Sequence, residues 1–175
     1  MDKQDDNPLE RVSKIEVAER QLKTAIKLFF EQGDAVSIHA LTSNAQSILT
    51  DIGKGKGIQS LKSNDGIRPE KYTDFINIIH APQNFIKHSD KKDPDEVFDF
   101  RPAVTKYQIF DALHIYSKLK GEIFQEGLVF LMWFHLKHPG YMEDEVGKSF
   151  LEQNLAGINP NNLSLFEEVI KSLPS

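Results

Sequence analysis

The sequence predicts an all-α fold, an antiparallel helical bundle of about six to seven helices. Three observations carry this expectation. Apolar residues recur at three- and four-residue spacing over long segments. Residues that start and stop helices bound those segments. Strand character is confined to one short piece, Val97 to Phe100.

The first helix is expected to open at Asn7-Pro8, an N-cap followed by the residue best suited to the first helical position. Its inward stripe is Leu9, Val12, Ile15, Ala18, Leu22, Ile26 and Phe29, and Gly33 stops it. Asp34 caps the second helix, expected from Ala35 to Ile52, with Ile38, Leu41, Ala45, Ile48 and Ile52 facing inward. Its other flank is unusual. No Asp, Glu, Lys or Arg falls between Ala35 and Thr50, and His39, Ser43, Gln46 and Thr50 share one side at helical spacing. A solvated flank normally carries Lys and Glu, so this helix is expected to be covered on both sides, by the domain and by a partner subunit.

Gly53 to Gly57 reads as a flexible basic loop. It lacks the Ser or Thr after Gly-Lys and the preceding strand that a phosphate-cradling P-loop needs. Arg68-Pro69 begins a third helix with Tyr72, Phe75, Ile76 and Ile79 inward, and Pro82 breaks or bends it near Ala81. Gln83 to His88 is a short helical segment, followed by a turn-rich patch from Ser89 to Asp95. Pro102 restarts helix through Tyr107, Phe110, Leu113, His114 and Leu119 to Gly121. An apolar helix follows at about Glu126 to Lys137, then helices at Glu143 to Leu155 and Leu163 to Leu173. Ser164 and Glu167 match a capping box at the start of the last. The aromatic residues Phe29, Phe30, Phe110, Phe124, Phe130, Trp133 and Phe134 lie in buried-type runs and are read as core.

The 175 residues suit one domain, 1–175, with 1–7 as a disordered tail. Twenty-one Lys and Arg against 26 Asp and Glu give a net charge of −5, which excludes a broadly basic nucleic-acid surface but not a local basic spot. Cysteine is absent, so disulfides, thiolate zinc sites and thiol nucleophiles are excluded, and a reducing, cytoplasmic setting fits. The polar, acidic start is unlike a signal peptide. The most apolar stretch, Leu128 to Phe134, falls far below the roughly 20 residues of a membrane span.

Six histidines invite a metal reading. Yet His135 and His138 are the only close pair, and no carboxylate lies at helical spacing on the preceding turn, so no metal or other cofactor is expected. Asp90, Asp93, Asp95 and Glu96 lack the glycine and the terminal glutamate of a calcium loop. The segment Gln83 to Asp90 is more informative. On a helix Asn84, Lys87 and His88 share one face, while Phe85 points elsewhere as an anchor. An amide, an ammonium and an imidazole together suit a phosphate group. Strand cleavage by the adjacent 2′-hydroxyl of RNA needs little more than an acid or base and a cation. His39, Gln46 and Asp51 join this pocket if the second helix packs against the segment, with Gln83 and Asp90 at its edges.

The segment resembles the motif of the HEPN superfamily, in which an arginine, a polar residue and a short spacer precede a histidine. Gln83 stands at the arginine position, Asn84 at the polar position and His88 at the histidine position. The resemblance spans roughly residues 35 to 120. It implies a small all-helical domain that often dimerises, and a metal-independent RNase of defence or toxin–antitoxin systems. Glutamine cannot supply the cation that stabilises the transition state, so Lys87 would have to reach the same place. Leu-Phe-Phe at a helix end, Val-Ser-Ile-His, and Asn-Phe-Ile-Lys-His-Ser-Asp are also similar to a group of bacterial proteins. The readings left open are a site that cleaves or binds RNA or a nucleotide, built on His88, Lys87 and Asn84 in a homodimer, and a non-catalytic interaction module with a protein partner. A metal-dependent bundle enzyme stands third.

Overall fold

A computed structural model describes residues 9–61, 81–87, 95–139 and 155–174. The expected helices around 68–80 and 143–154, most of the 89–95 turn patch, His80, His88 and Asp90 lie outside the described residues. Within the described residues the regular structure is all helical. The elements are α1 (Lys14–Phe30), α2 (Ala35–Lys54), a helical run 81–87 (α3), a 3-10 turn (Pro102–Val104), α4 (Thr105–Lys120), α5 (Gln125–Lys137) and α6 (Leu163–Ser172). Among them no helix is long and apolar enough to cross a membrane.

α1 starts later than Asn7-Pro8 suggests. Ser13 is the N-cap, and a reciprocal capping box joins Ser13 to Glu16. The Glu16 backbone N–H donates to Ser13 Oγ at 3.3 Å, and the Ser13 N–H donates to Glu16 Oε2 at 2.6 Å. Two satisfied donors fix the start there. Leu9 is therefore 95% exposed instead of core. At the far end Gln32, not Gly33, takes the left-handed conformation (φ 53°), and the Gly33 N–H returns to Leu28 O at 2.8 Å. Asp34 then caps α2 as expected, accepting from the Ser37 N–H at 2.7 Å.

α2 extends two residues beyond Ile52, into the glycine-rich stretch. Gly53 is buried, and a Cβ there would lie 3.1 Å from Ile58 O and 3.3 Å from Ile115. The missing side chain lets the chain fold back against α4, with the Ile58 N–H on Gly53 O at 2.9 Å. That stretch is thus partly a helix end and not wholly a solvated loop. At the last helix Ser164 lies inside α6, whose N-cap is Asn162. Glu167 pairs with Lys171 at 2.5 Å, so the expected capping box does not form.

α1 packs along α2, α2 along α4, and α5 and α6 close the far side of α1. The short link from Gly121 to Phe124 makes α4 and α5 antiparallel, with Phe110 stacked on Phe134 and Tyr116 against Phe124. α2 and α4 instead run in the same direction, because His39, Ser43 and Gln46 meet Thr105, Gln108 and Asp111 in ascending order. The long connection between them makes that parallel pairing accessible. The core centres on Phe30, Phe130, Trp133, Phe134 and Phe166, with Phe29 half-buried at its edge. Edge-on and stacked ring contacts hold these aromatics together. The Val97 to Phe100 piece is irregular and forms no strand, with the Phe100 N–H on Phe98 O at 2.9 Å. Phe98 stacks on Phe85 of α3, and Phe100 meets His39 edge-on.

Candidate functional site

The polar flank of α2 is buried inside the chain itself. His39 Nδ1 and Thr105 Oγ1 lie 2.9 Å apart, and both residues are buried. One turn along, Ser43 Oγ donates to Gln108 Oε1 at 3.4 Å. At the next turn the Gln46 amide donates to Asp111 Oδ2. Asp111 also accepts from Ser60 Oγ and from the Leu61 N–H, each at 2.7 Å. The carboxylate thus ties together α2, α4 and the segment that leaves α2. Spacings of 39, 43, 46 on one helix and 105, 108, 111 on the other are what two facing helical surfaces require. Sequence reasoning found the first set and missed the second, although three polar residues at three-residue spacing within an apolar helix are a readable signal. α4 covers the flank that was expected to need a partner subunit.

His39 and Gln46 therefore face α4. Asp51 is exposed and pairs with Lys54 at 3.6 Å.

α3 meets α2 at Ser47, about 12 Å along the helix axis from His39. Pro82 is buried, and Phe85 is anchored on Phe98 at a ring separation of 5.2 Å. These two contacts set the rotation of the segment. Gln83 Nε2 donates to Ser47 Oγ at 2.7 Å, and Lys87 Nζ reaches the same oxygen at 3.4 Å. Ser47 in turn donates to Ser43 O at 2.9 Å. Asn84 and Lys87 are exposed. Gln83 and Lys87 are thus brought together on one hydroxyl, with Asn84 beside them in sequence. Ser47 was not singled out beforehand; a serine on an uncharged helix face carries little signal until its neighbour is known.

Among the described residues no three His, Asp or Glu side chains cluster as a metal-binding set would. Compared with protein families, curated proteins and solved structures, the chain matches none significantly. The class its fold defines is an all-helical domain whose parallel α2–α4 pair is joined by a buried polar seam.

Proposed function

We propose that the chain is a HEPN-like helical protein that binds the phosphate groups of RNA or of a nucleotide at the α2–α3 junction. The observation that carries this reading is the convergence of Gln83 Nε2 and Lys87 Nζ on the Ser47 hydroxyl, next to the exposed Asn84. One ammonium with amide hydrogens around it is a donor set for a phosphodiester. The contact is local, as the net charge of −5 requires, and therefore salt-sensitive. The same reading takes the protein as bacterial, cytoplasmic and homodimeric, as the HEPN resemblance implies and the absence of cysteine fits.

In the cleaving form His88 takes the proton of the 2′-hydroxyl while water protonates the leaving 5′-oxygen, or water takes the first proton while His88 gives the second. The 2′-oxygen bonds to phosphorus, the 5′-oxygen departs, and a cyclic phosphate remains. Lys87 then stands in for the arginine that Gln83 replaces. One observation favours a second reading, a non-catalytic interaction module of antitoxin or scaffold type. Gln83, at the position where a catalytic cation is expected, has its amide engaged in holding α3 against α2.

Incubation with mixed single-stranded RNA in chelator separates these readings. Cleavage that His88→Ala abolishes establishes the nuclease. RNA binding that Lys87→Gln weakens, without cleavage, establishes the binding form. No binding and no cleavage overturns the phosphate reading and leaves the interaction module.

A further inference from the structure

A cavity of about 560 Å³ opens between the second half of α1, the start of α5 and the end of α6. Its size is that of a small-ligand pocket, about 300–1,000 Å³. Phe124, Ile170, Leu173 and Pro174 supply its apolar surface. Lys23, Lys27 and Glu31, at four-residue spacing, line it from one side of α1 and its C-cap.

Every lysine of the cavity is already engaged. Lys23 Nζ lies 2.9 Å from Glu19 and 5.4 Å from the centre of the Phe124 ring. Lys27 pairs with Glu126 at 3.3 Å, and Lys171 with Glu167 at 2.5 Å. Glu31, Glu126 and Glu167 line the same space, and Glu19 holds Lys23 from outside it. Among the described residues four carboxylates thus meet three ammonium groups, and Glu31 is the one in surplus. The hydrogen bond from Lys171 to Glu167, and then the charge of Glu31, raise Lys171 above the usual lysine range, as surplus negative charge requires. Helix ends add the same sign. Glu31 caps the C-terminal end of α1 and Leu173 that of α6, against the single N-terminal end of α5.

We propose that this cavity binds a small organic monocation, with its hydrocarbon body on Phe124, Ile170 and Leu173 and its ammonium at Glu31. Charge decides among ligand classes. An anion would have to displace the carboxylate already on each lysine. A polycation would bring a second charge against Lys23 and Lys27. A neutral apolar molecule would leave Glu31 unmatched. The site stands apart from the α2–α3 junction and does not depend on it.

The test is an amide NMR titration with phenethylammonium chloride, phenethyl alcohol and sodium 3-phenylpropionate at matched ionic strength. The ammonium should give saturable shifts at Glu31, Gln125 and Ile170, with a lower Kd than the alcohol, and the carboxylate should give none. Glu31→Gln should weaken ammonium binding about two- to fivefold, to the level of the alcohol. Asp51→Asn, an exposed change of equal charge on α2, should leave it unaltered. Both positions are exposed, so neither variant threatens the fold. Absence of saturable shifts, binding of the alcohol or the carboxylate as tight as that of the ammonium, or equal affinities in Glu31→Gln and Asp51→Asn overturn the site.

Discussion

Gln46 donates its side-chain amide to the carboxylate of Asp111, 65 residues away, across the interface between α2 and α4. The pair lies at the lower end of a seam that begins with His39 and Thr105. Parallel helices with apolar faces alone could slide by one turn. A carboxylate that accepts from Gln46, Ser60 and the Leu61 N–H has one register in which all three donors are met.

Asp111→Ala removes the acceptor of the buried Gln46 amide on α2 and of the Ser60 hydroxyl and Leu61 N–H on the segment after it. The expected loss is about 3 kcal/mol, from unsatisfied polar groups together with a small cavity. Chemical denaturation measures it. A double-mutant cycle with Gln46→Ala should show coupling of about 1 kcal/mol or more; additive effects would mean that the two side chains do not interact.

Tyr116 donates to Glu19 Oε2 at 2.5 Å, and Lys23 pairs with the other oxygen at 2.9 Å. Burial raises the Glu19 carboxyl, but the hydrogen bonds from Lys23 and Tyr116 outweigh it and hold the group below its usual range. The Glu19 contribution is therefore present above the unfolded-state pKa and is lost as pH falls through the lower folded value. Burial, followed by the bond to Glu19, raises the Tyr116 phenol far above its usual range. Its contribution is present below about pH 10 and is lost as pH rises further. In an absorbance titration a tyrosine phase should appear only as the protein unfolds, and Tyr116→Phe should remove it. A titration from which Tyr116→Phe removes no late phase would contradict the pairing.

Gly127 lies where α5 crosses α4. A Cβ there would approach Leu113 at 3.0 Å, with Ile123 and Phe124 each at 3.1 Å. Gly127→Ala should destabilise by about 1–2 kcal/mol, because overpacking exceeds the gain in helix propensity. Thermal melting checks the sign, and a stabilised variant would show that the α4–α5 contact yields easily.

Ser13→Ala should cost about 1 kcal/mol by removing one half of the capping box. Hydrogen exchange should show faster exchange confined to the first turn of α1. Unchanged exchange there would place the helix start elsewhere.

Much of the architecture was legible because helical spacing is a local property. α5 and α6 lie within a residue of their expected bounds, α4 begins three residues after Pro102 behind a 3-10 turn, and Gly121 ends α4 in the left-handed conformation as a stop residue should. The uncharged flank of α2 also reported its burial correctly. What covers it was not legible, since the choice between α4 and a second copy depends on which distant segment returns to that face. The start of α1 was misread although Ser13 and Glu16 carried the signal, because Asn7-Pro8 offered an earlier and less complete one. At the candidate site Lys87 was found from its charge and Gln83 from its place in a motif. Ser47, where both meet, is visible only once α3 is packed on α2.

The most direct test of the phosphate reading is the affinity of a labelled single-stranded oligoribonucleotide, measured by anisotropy across a salt series, for the unaltered protein and Lys87→Gln. The account predicts weaker binding by the variant and a salt slope reduced by about one ion. Ser47→Ala and Asn84→Ala should weaken binding without changing that slope. Equal affinities and equal slopes for the unaltered protein and Lys87→Gln would contradict it.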